Sequence, residues 1–205
     1  MYNKLRFKGF LISLLGLFAC QEKHELPYLG PKSVNASGDT VYHQIPAFRF
    51  LNQDSTWVTE KDMAGKIYVA DFFFTTCPTI CPKMKTQLLR IYERYADNDA
   101  VRILSHSIDP EFDRVSVLRD YANKLHIEAP RWNLVTGDKK AIYTIGQKSY
   151  MVTAQEDANE VGGFVHSGAF ILVDKDRHVR GIYDGTKEED VNHLIEDMEK
   201  LVGNK

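Results

Sequence analysis

A single α/β domain built on a central mixed sheet flanked by helices is expected, because three features of the chain converge on it. Ile67–Phe74 is a nearly unbroken apolar run, the pattern of a strand covered on both faces. From Val101 to Leu201, stretches of strand-like and helix-like periodicity alternate. The length of 205 residues, 43% apolar, supplies one good core and gives no sign of a second.

Each element has a local reason. Phe48–Leu51 and Thr56–Thr59 flank Asn52-Gln53-Asp54-Ser55 and read as an N-terminal β-hairpin. After the apolar run, Met84, Leu88, Ile91, Tyr92 and Tyr95 recur at helical spacing, with Pro82 in the first turn, where its missing N–H costs nothing. Cys81 therefore falls near the N-cap. Val101–Ile108 is a second strand, followed by a helix marked by Val115, Leu118, Ala122 and Leu125, with Asp113 as its expected cap. Trp132–Val135 is a third strand, and Asp138 caps a helix that buries Ala141, Ile142 and Ile145. An irregular acidic loop comes next. Val165–Val173 and Val179–Tyr183 flank a turn at Asp174–Arg177 and would finish the sheet. Thr186 and Glu189 match a capping box for a last helix, with Val191, Leu194, Ile195, Met198 and Leu201 as its stripe. This order of elements suggests a thioredoxin-like domain.

The first residues are of another kind. Lys4, Arg6 and Lys8 precede an apolar run from Phe10 to Ala19 that ends at Cys20. Ten apolar residues span about 15 Å as a helix, roughly half a bilayer core, so a signal peptide over residues 1–19 is expected in place of a membrane-spanning helix. Leu17-Phe18-Ala19-Cys20 resembles a lipobox, which makes Cys20 the expected lipidation site and the protein an exported, lipid-anchored one on a bacterial membrane facing the periplasm. Residues 20–40, with Pro27, Gly30, Pro31 and Gly38, read as a flexible tether to a domain over residues 41–205. Cleavage before Cys20 would change the net charge from −2 to −5. A mildly acidic surface without a basic stripe argues against nucleic acid as a partner.

Of the three cysteines, Cys77 and Cys81 then remain, in Thr75-Thr76-Cys77-Pro78-Thr79-Ile80-Cys81-Pro82, where the central strand becomes a helix. Thiols at i and i+4 of a first helical turn have Cα atoms about 6 Å apart, which suits a disulfide or a shared metal. The helix N-terminus favours thiolate, and that helps both uses. Three intervening residues leave more room to open around an ion than the two of the familiar exchange motif, and paired soft thiolates favour Cu(I). A further ligand would have to be histidine. His166 is the first candidate, since Gly162-Gly163 precede it and Ser167-Gly168 follow it at the entry to a strand. His106, in the second strand, is expected in the core or behind the site. His24, His43, His126, His178 and His193 suit solvated or structural roles, and Met84 shares the helical phase of Leu88 and Ile91, which points to packing.

Together, the Cys-Pro-x-x-Cys-Pro element, Ser107-Ile108-Asp109-Pro110, Leu134-Val135-Thr136-Gly137 and His166-Ser167 resemble the Sco/SenC family over about residues 41–201. That resemblance implies a membrane-tethered thioredoxin fold binding one copper ion, as Cu(I) with Cu(II) left open, through Cys77, Cys81 and His166. It further implies a metal carrier, not an enzyme, that delivers copper to, or maintains, the binuclear copper centre of cytochrome c oxidase. Its partner would be the copper-bearing oxidase subunit or another copper carrier. Many relatives have an acidic residue before the histidine where this chain has Val165. Thiol–disulfide reduction by Cys77 and Cys81 of a partner's copper-site cysteines is the alternative function, and it needs no histidine. A peroxidase is disfavoured because Phe74, not threonine, lies three residues before Cys77.

Overall fold

The computed structural model of the chain describes residues 25–157 and 164–203, with the backbone alone at 154–156, 165 and 166. The expected signal peptide and Cys20 lie outside the described residues. Among the described residues no helix is long and apolar enough to cross a membrane.

The strands are β1 (Lys32–Val34), β2 (Thr40–Tyr42), β3 (Arg49–Asn52), β4 (Trp57–Thr59), β5 (Ile67–Phe73), β6 (Val101–Ser107), β7 (Trp132–Thr136), β8 (Ala154–Glu156), β9 (Phe164–His166), β10 (Ala169–Val173) and β11 (Val179–Asp184). The helices are α1 (Cys81–Arg94), α2 (Val115–Leu125), α3 (Lys139–Lys148) and α4 (Glu188–Gly203). The main sheet runs β11-β10-β5-β6-β7-β3-β4, with β5, β6 and β7 parallel and the flanking pairs antiparallel. This is the expected mixed sheet. The apolar run at β5 lies at its centre and is buried at every position, because helices cover both faces.

The two faces hide different residues. Asp71, Ser105 and Trp132 point toward α1 and α2, where they share a cavity of about 20 Å³ with Cys81, Lys85 and Tyr121. Helix α4 packs beside α1, joined by Arg90 donating to Asn192 Oδ1 at 2.6 Å and by an Arg94–Glu199 ion pair. On the opposite face, Phe72 stacks on His106 at 4.8 Å between ring centroids, and Tyr150, just after α3, closes over both.

Several local expectations change in the three-dimensional setting. The hairpin at 48–59 forms as β3–β4 and joins the main sheet through β7. The stretch expected as a flexible tether contains a second hairpin, β1–β2, whose turn is held by Asn35 Oδ1 accepting from the N–H groups of Ser37 and Asp39, each at 2.9 Å. Leu26 and Leu29 pack against the core, and Tyr28 stacks on Tyr42 at 4.2 Å. The expected strand over Val165–Val173 is two, β9 and β10, and the acidic loop before it supplies β8, which pairs antiparallel with β9. Asp138 caps α3 as expected, accepting from Ala141 N at 2.7 Å. Asp113 does not cap α2: the N-cap is Arg114, without a side-chain bond. The capping box at α4 is also absent, since Thr186 Oγ1 donates to Asp184 Oδ1 at 2.6 Å.

Candidate metal centre

The parallel strands end at one edge of the sheet, where α/β domains build their sites. There β5 passes into the loop carrying Cys77, and Cys81 opens α1, with Ile80 as N-cap and Pro82 in the first turn. A Phe74–Cys77 turn starts the loop: Cys77 N–H donates to Phe74 O at 3.2 Å. Both sulfurs are nearly enclosed, with Cys77 8% and Cys81 4% exposed, and no disulfide joins them.

The two thiols are electrostatically unequal. Burial pushes the Cys77 thiol up, but donation from the Cys81 thiol, from the backbone of Cys81 and Thr79 and from the Thr79 hydroxyl outweighs it, leaving Cys77 below the ordinary thiol range. Thr79 Oγ1 lies 3.6 Å from Cys77 Sγ. Burial holds Cys81 well above that range, and despite a backbone hydrogen bond at Phe74, its bond to Cys77 and the nearby carboxyl of Asp71 push the same way. Cys81 therefore holds its proton more tightly than Cys77 does. Asp71 is itself buried in β5, pushed up to about 7 by desolvation against one hydrogen bond donated by Ser105 Oγ.

The loop is tied to β6. Asp113, fully buried, accepts from Thr75 N at 3.0 Å, from Thr75 Oγ1 and from Ser107 Oγ at 2.6 Å. Its own N–H donates to Asp109 O at 2.8 Å, so the Asp109-Pro110 motif forms the turn that presents it.

His166 ends β9, in register with Ala154 of β8. Its side chain lies outside the description, but its neighbours locate the strand. Two residues before it, Phe164 packs on Phe74 with ring centroids 5.0 Å apart. Two residues after it, a Cβ on Gly168 would stand 3.7 Å from Ile80 Cδ1. Phe74 precedes the cysteine loop and Ile80 precedes Cys81, so the residues on either side of His166 lie near the two ends of the loop. Among the described side chains no group of three or more His, Cys, Asp or Glu could hold a metal; the described donors at this place are Cys77 and Cys81.

The other histidines go where the sequence places them. His106 is in the core, with no exposure. His43 Nε2 bonds Ser149 O at 2.8 Å, His178 Nδ1 bonds His43 O at 2.7 Å, His126 ends α2 at φ 54°, and His193 is exposed on α4. His24 lies outside the described residues. Met84 is a packed core residue of α1, 1% exposed. Sequence reasoning did not foresee Thr75 and Thr79 as partners of the site, nor Asp71, although a lone carboxylate inside a central apolar strand was a visible signal.

The sequence matches the SCO1/SenC family model over residues 37–203. The chain belongs to the SCO1/SenC family. Solved structures of the family agree with its thioredoxin-like architecture. A SCO1/SenC family lipoprotein from Bacillus anthracis superposes with a TM-score of 0.71 at 29% identity, covering 78% of this chain and 95% of that one. BsSco, a member of the Sco family of cytochrome c oxidase assembly proteins in which a disulfide switch is described, gives 0.70 at 30% identity, covering 80% and 95%. ScoI from Arabidopsis thaliana, solved with copper bound, gives 0.64 at 26% identity, covering 78% and 98%. This SCO1/SenC chain therefore shares its family with proteins of oxidase assembly and copper binding.

Proposed function

We propose that the protein carries one copper ion held by Cys77, Cys81 and His166, and that it delivers copper to, or maintains, the binuclear copper centre of cytochrome c oxidase. The observation that supports this reading is the placement of the residues flanking His166: Phe164 packs on Phe74 and Gly168 lies close to Ile80, near the two ends of the cysteine loop. Two soft sulfurs already in mutual contact suit Cu(I), and an imidazole completes a three-coordinate set that leaves one side open to a partner thiol. The chain's own contribution is to hold the sulfurs together, ease the loss of the Cys77 proton and shield the pair from water. In this reading Cys20 carries the lipid, and residues 1–19 direct export to a membrane facing the periplasm.

The test is anaerobic copper titration of the wild-type domain, His166→Ala and the Cys77→Ser/Cys81→Ser double variant. Expected are one copper per wild-type chain, an affinity at least tenfold lower for His166→Ala, and loss of binding in the double variant. Equal affinity for wild type and His166→Ala would remove His166 from the ligand set.

The inequality of the two thiols favours a second reading, reduction of a partner's copper-site disulfide. The Cys77 thiolate attacks one partner sulfur, forming a mixed disulfide and releasing the other partner sulfur as thiolate. Cys81, giving up its proton, then attacks Cys77, and the second partner thiol leaves; the partner gains the two electrons that the cysteine pair loses. His166→Ala would leave this exchange intact.

A further inference from the structure

We infer that Asp113 is a positioning residue that holds the cysteine loop against the edge of the sheet before any metal arrives. The sequence places it two residues ahead of a helix, where its expected use would be as a cap, yet α2 takes no side-chain bond from it. Its carboxylate instead faces away from the helix and takes three bonds from two elements. Thr75 N–H, at 3.0 Å, and Thr75 Oγ1 come from the start of the cysteine loop, and Ser107 Oγ, at 2.6 Å, comes from the end of β6. All three partners donate, so both carboxylate oxygens are used as acceptors.

The clamp is itself anchored. Ser107 Oγ accepts from Asp109 N at 3.2 Å while donating to Asp113, and Asp113 N–H closes the turn on Asp109 O at 2.8 Å. Ile108 N–H donates to Phe73 O at 2.8 Å, which extends the β5–β6 ladder to the foot of the loop. Thr75 is thus tied directly to the sheet edge, and it is the second residue of the Phe74–Cys77 turn that opens the loop. A buried carboxylate is costly unless its bonds repay it. Its partners here all lie at the cysteine loop and the turn beneath it, so what it stabilises is the position of Thr75, and through it of Cys77.

The consequence for metal capture rests on the copper reading, but the positioning role does not. Amide hydrogen exchange of the metal-free domain is therefore the first measurement. In Asp113→Ala, exchange at Thr75, Thr76 and Cys77 is expected to rise at least tenfold, while the central amides of β5 and β6 stay within about twofold of wild type. Copper affinity is expected to fall about tenfold, with a shifted copper–thiolate absorption band. Asp113→Asn, with its oxygen where Oδ2 lies, keeps the acceptor for Thr75 N–H and Ser107 Oγ and offers its amide N–H to Thr75 Oγ1, and should restore both readouts to within about threefold. Unchanged loop exchange, a uniform rise across the sheet, or an Asn variant as impaired as the Ala variant would each overturn the inference. Local exchange rising as expected in a domain whose wild type binds no copper supports the clamp and sinks the copper reading alone. If Asp113→Ala does not fold, Thr75→Val, which removes one hydroxyl donor, carries the test: it must loosen the same three amides, and Thr75→Ser must restore them.

Discussion

Replacing His106 with Phe is expected to change how stability responds to pH, because the two faces of the sheet hide titratable groups of opposite sign. His106 has no exposure, and neither ring nitrogen has a hydrogen-bond partner of ordinary geometry. Its ring lies among Phe48, Phe50, Phe72 and Tyr150. Burial pushes it from 6.5 down to about 4, although the backbone at Asp71 and Leu104 slightly favours the charged ring. Between about pH 4 and 6.5 the unfolded chain binds a proton there that the fold does not. Stability from this residue is thus present above pH 6.5 and is lost as pH falls toward 4, by about 3 kcal/mol over the window. Asp71, on the other face, is pushed from 3.8 up to about 7, so the fold keeps a proton that the unfolded chain releases. Its stability is present below about pH 4 and is lost as pH rises through 7, by about 4 kcal/mol.

In the wild type these slopes largely cancel between pH 4 and 6.5. His106→Phe removes one of them: relative to wild type, the variant should gain about 3 kcal/mol between pH 7 and pH 4. Packing differences between the two rings, and the loss of two buried nitrogens without partners, shift the whole curve without altering its slope. Asp71→Asn should do the reverse, gaining most relative to wild type above pH 7. Urea denaturation of the metal-free, reduced domain at half-unit steps from pH 4 to 7.5 measures all three curves. Parallel curves for wild type and His106→Phe would refute the claim that the fold holds this imidazole neutral.

Two further outcomes follow from the geometry. Iodoacetamide at pH 7 should label Cys77 well before Cys81, read by mass spectrometry of the metal-free protein, since Cys77 is held below the ordinary thiol range and Cys81 well above it; labelling in the other order contradicts the site's electrostatics. Arg180→Ala should cost about 3 kcal/mol or more by urea denaturation, because Asp174, which accepts from Arg180 Nη1 at 2.8 Å, would remain buried without its cation.

The elements read correctly from the chain are those whose causes are local. The apolar run of β5, the periodicity of α1 and the Asp138 cap of α3 each follow from residues within one or two turns of one another. Asp113 looked like a second cap by the same local rule, and the rule failed because Thr75 and Ser107 compete for its carboxylate from other elements. The hairpin at residues 32–42 was hidden for a related reason. Its strands are only three residues each and mostly exposed, and the segment is held by distant partners: Leu29 N–H donates to Val179 O at 2.9 Å, and Arg180 lies over the Tyr28 ring at 4.0 Å.

By itself the sequence determined the α/β order, the central strand and two thiols at a helix start, since periodicity and spacing along one chain are enough to specify these. It also singled out His166 as a candidate and offered no distance to the thiols. Tertiary structure decided that Phe164 of β9 packs on Phe74 at the start of the cysteine loop, that Asp113 joins that loop to β6, and that Cys77 and Cys81 differ in their hold on a proton. The first two arise from contacts between residues tens of positions apart and the last chiefly from burial, neither of which a local pattern encodes.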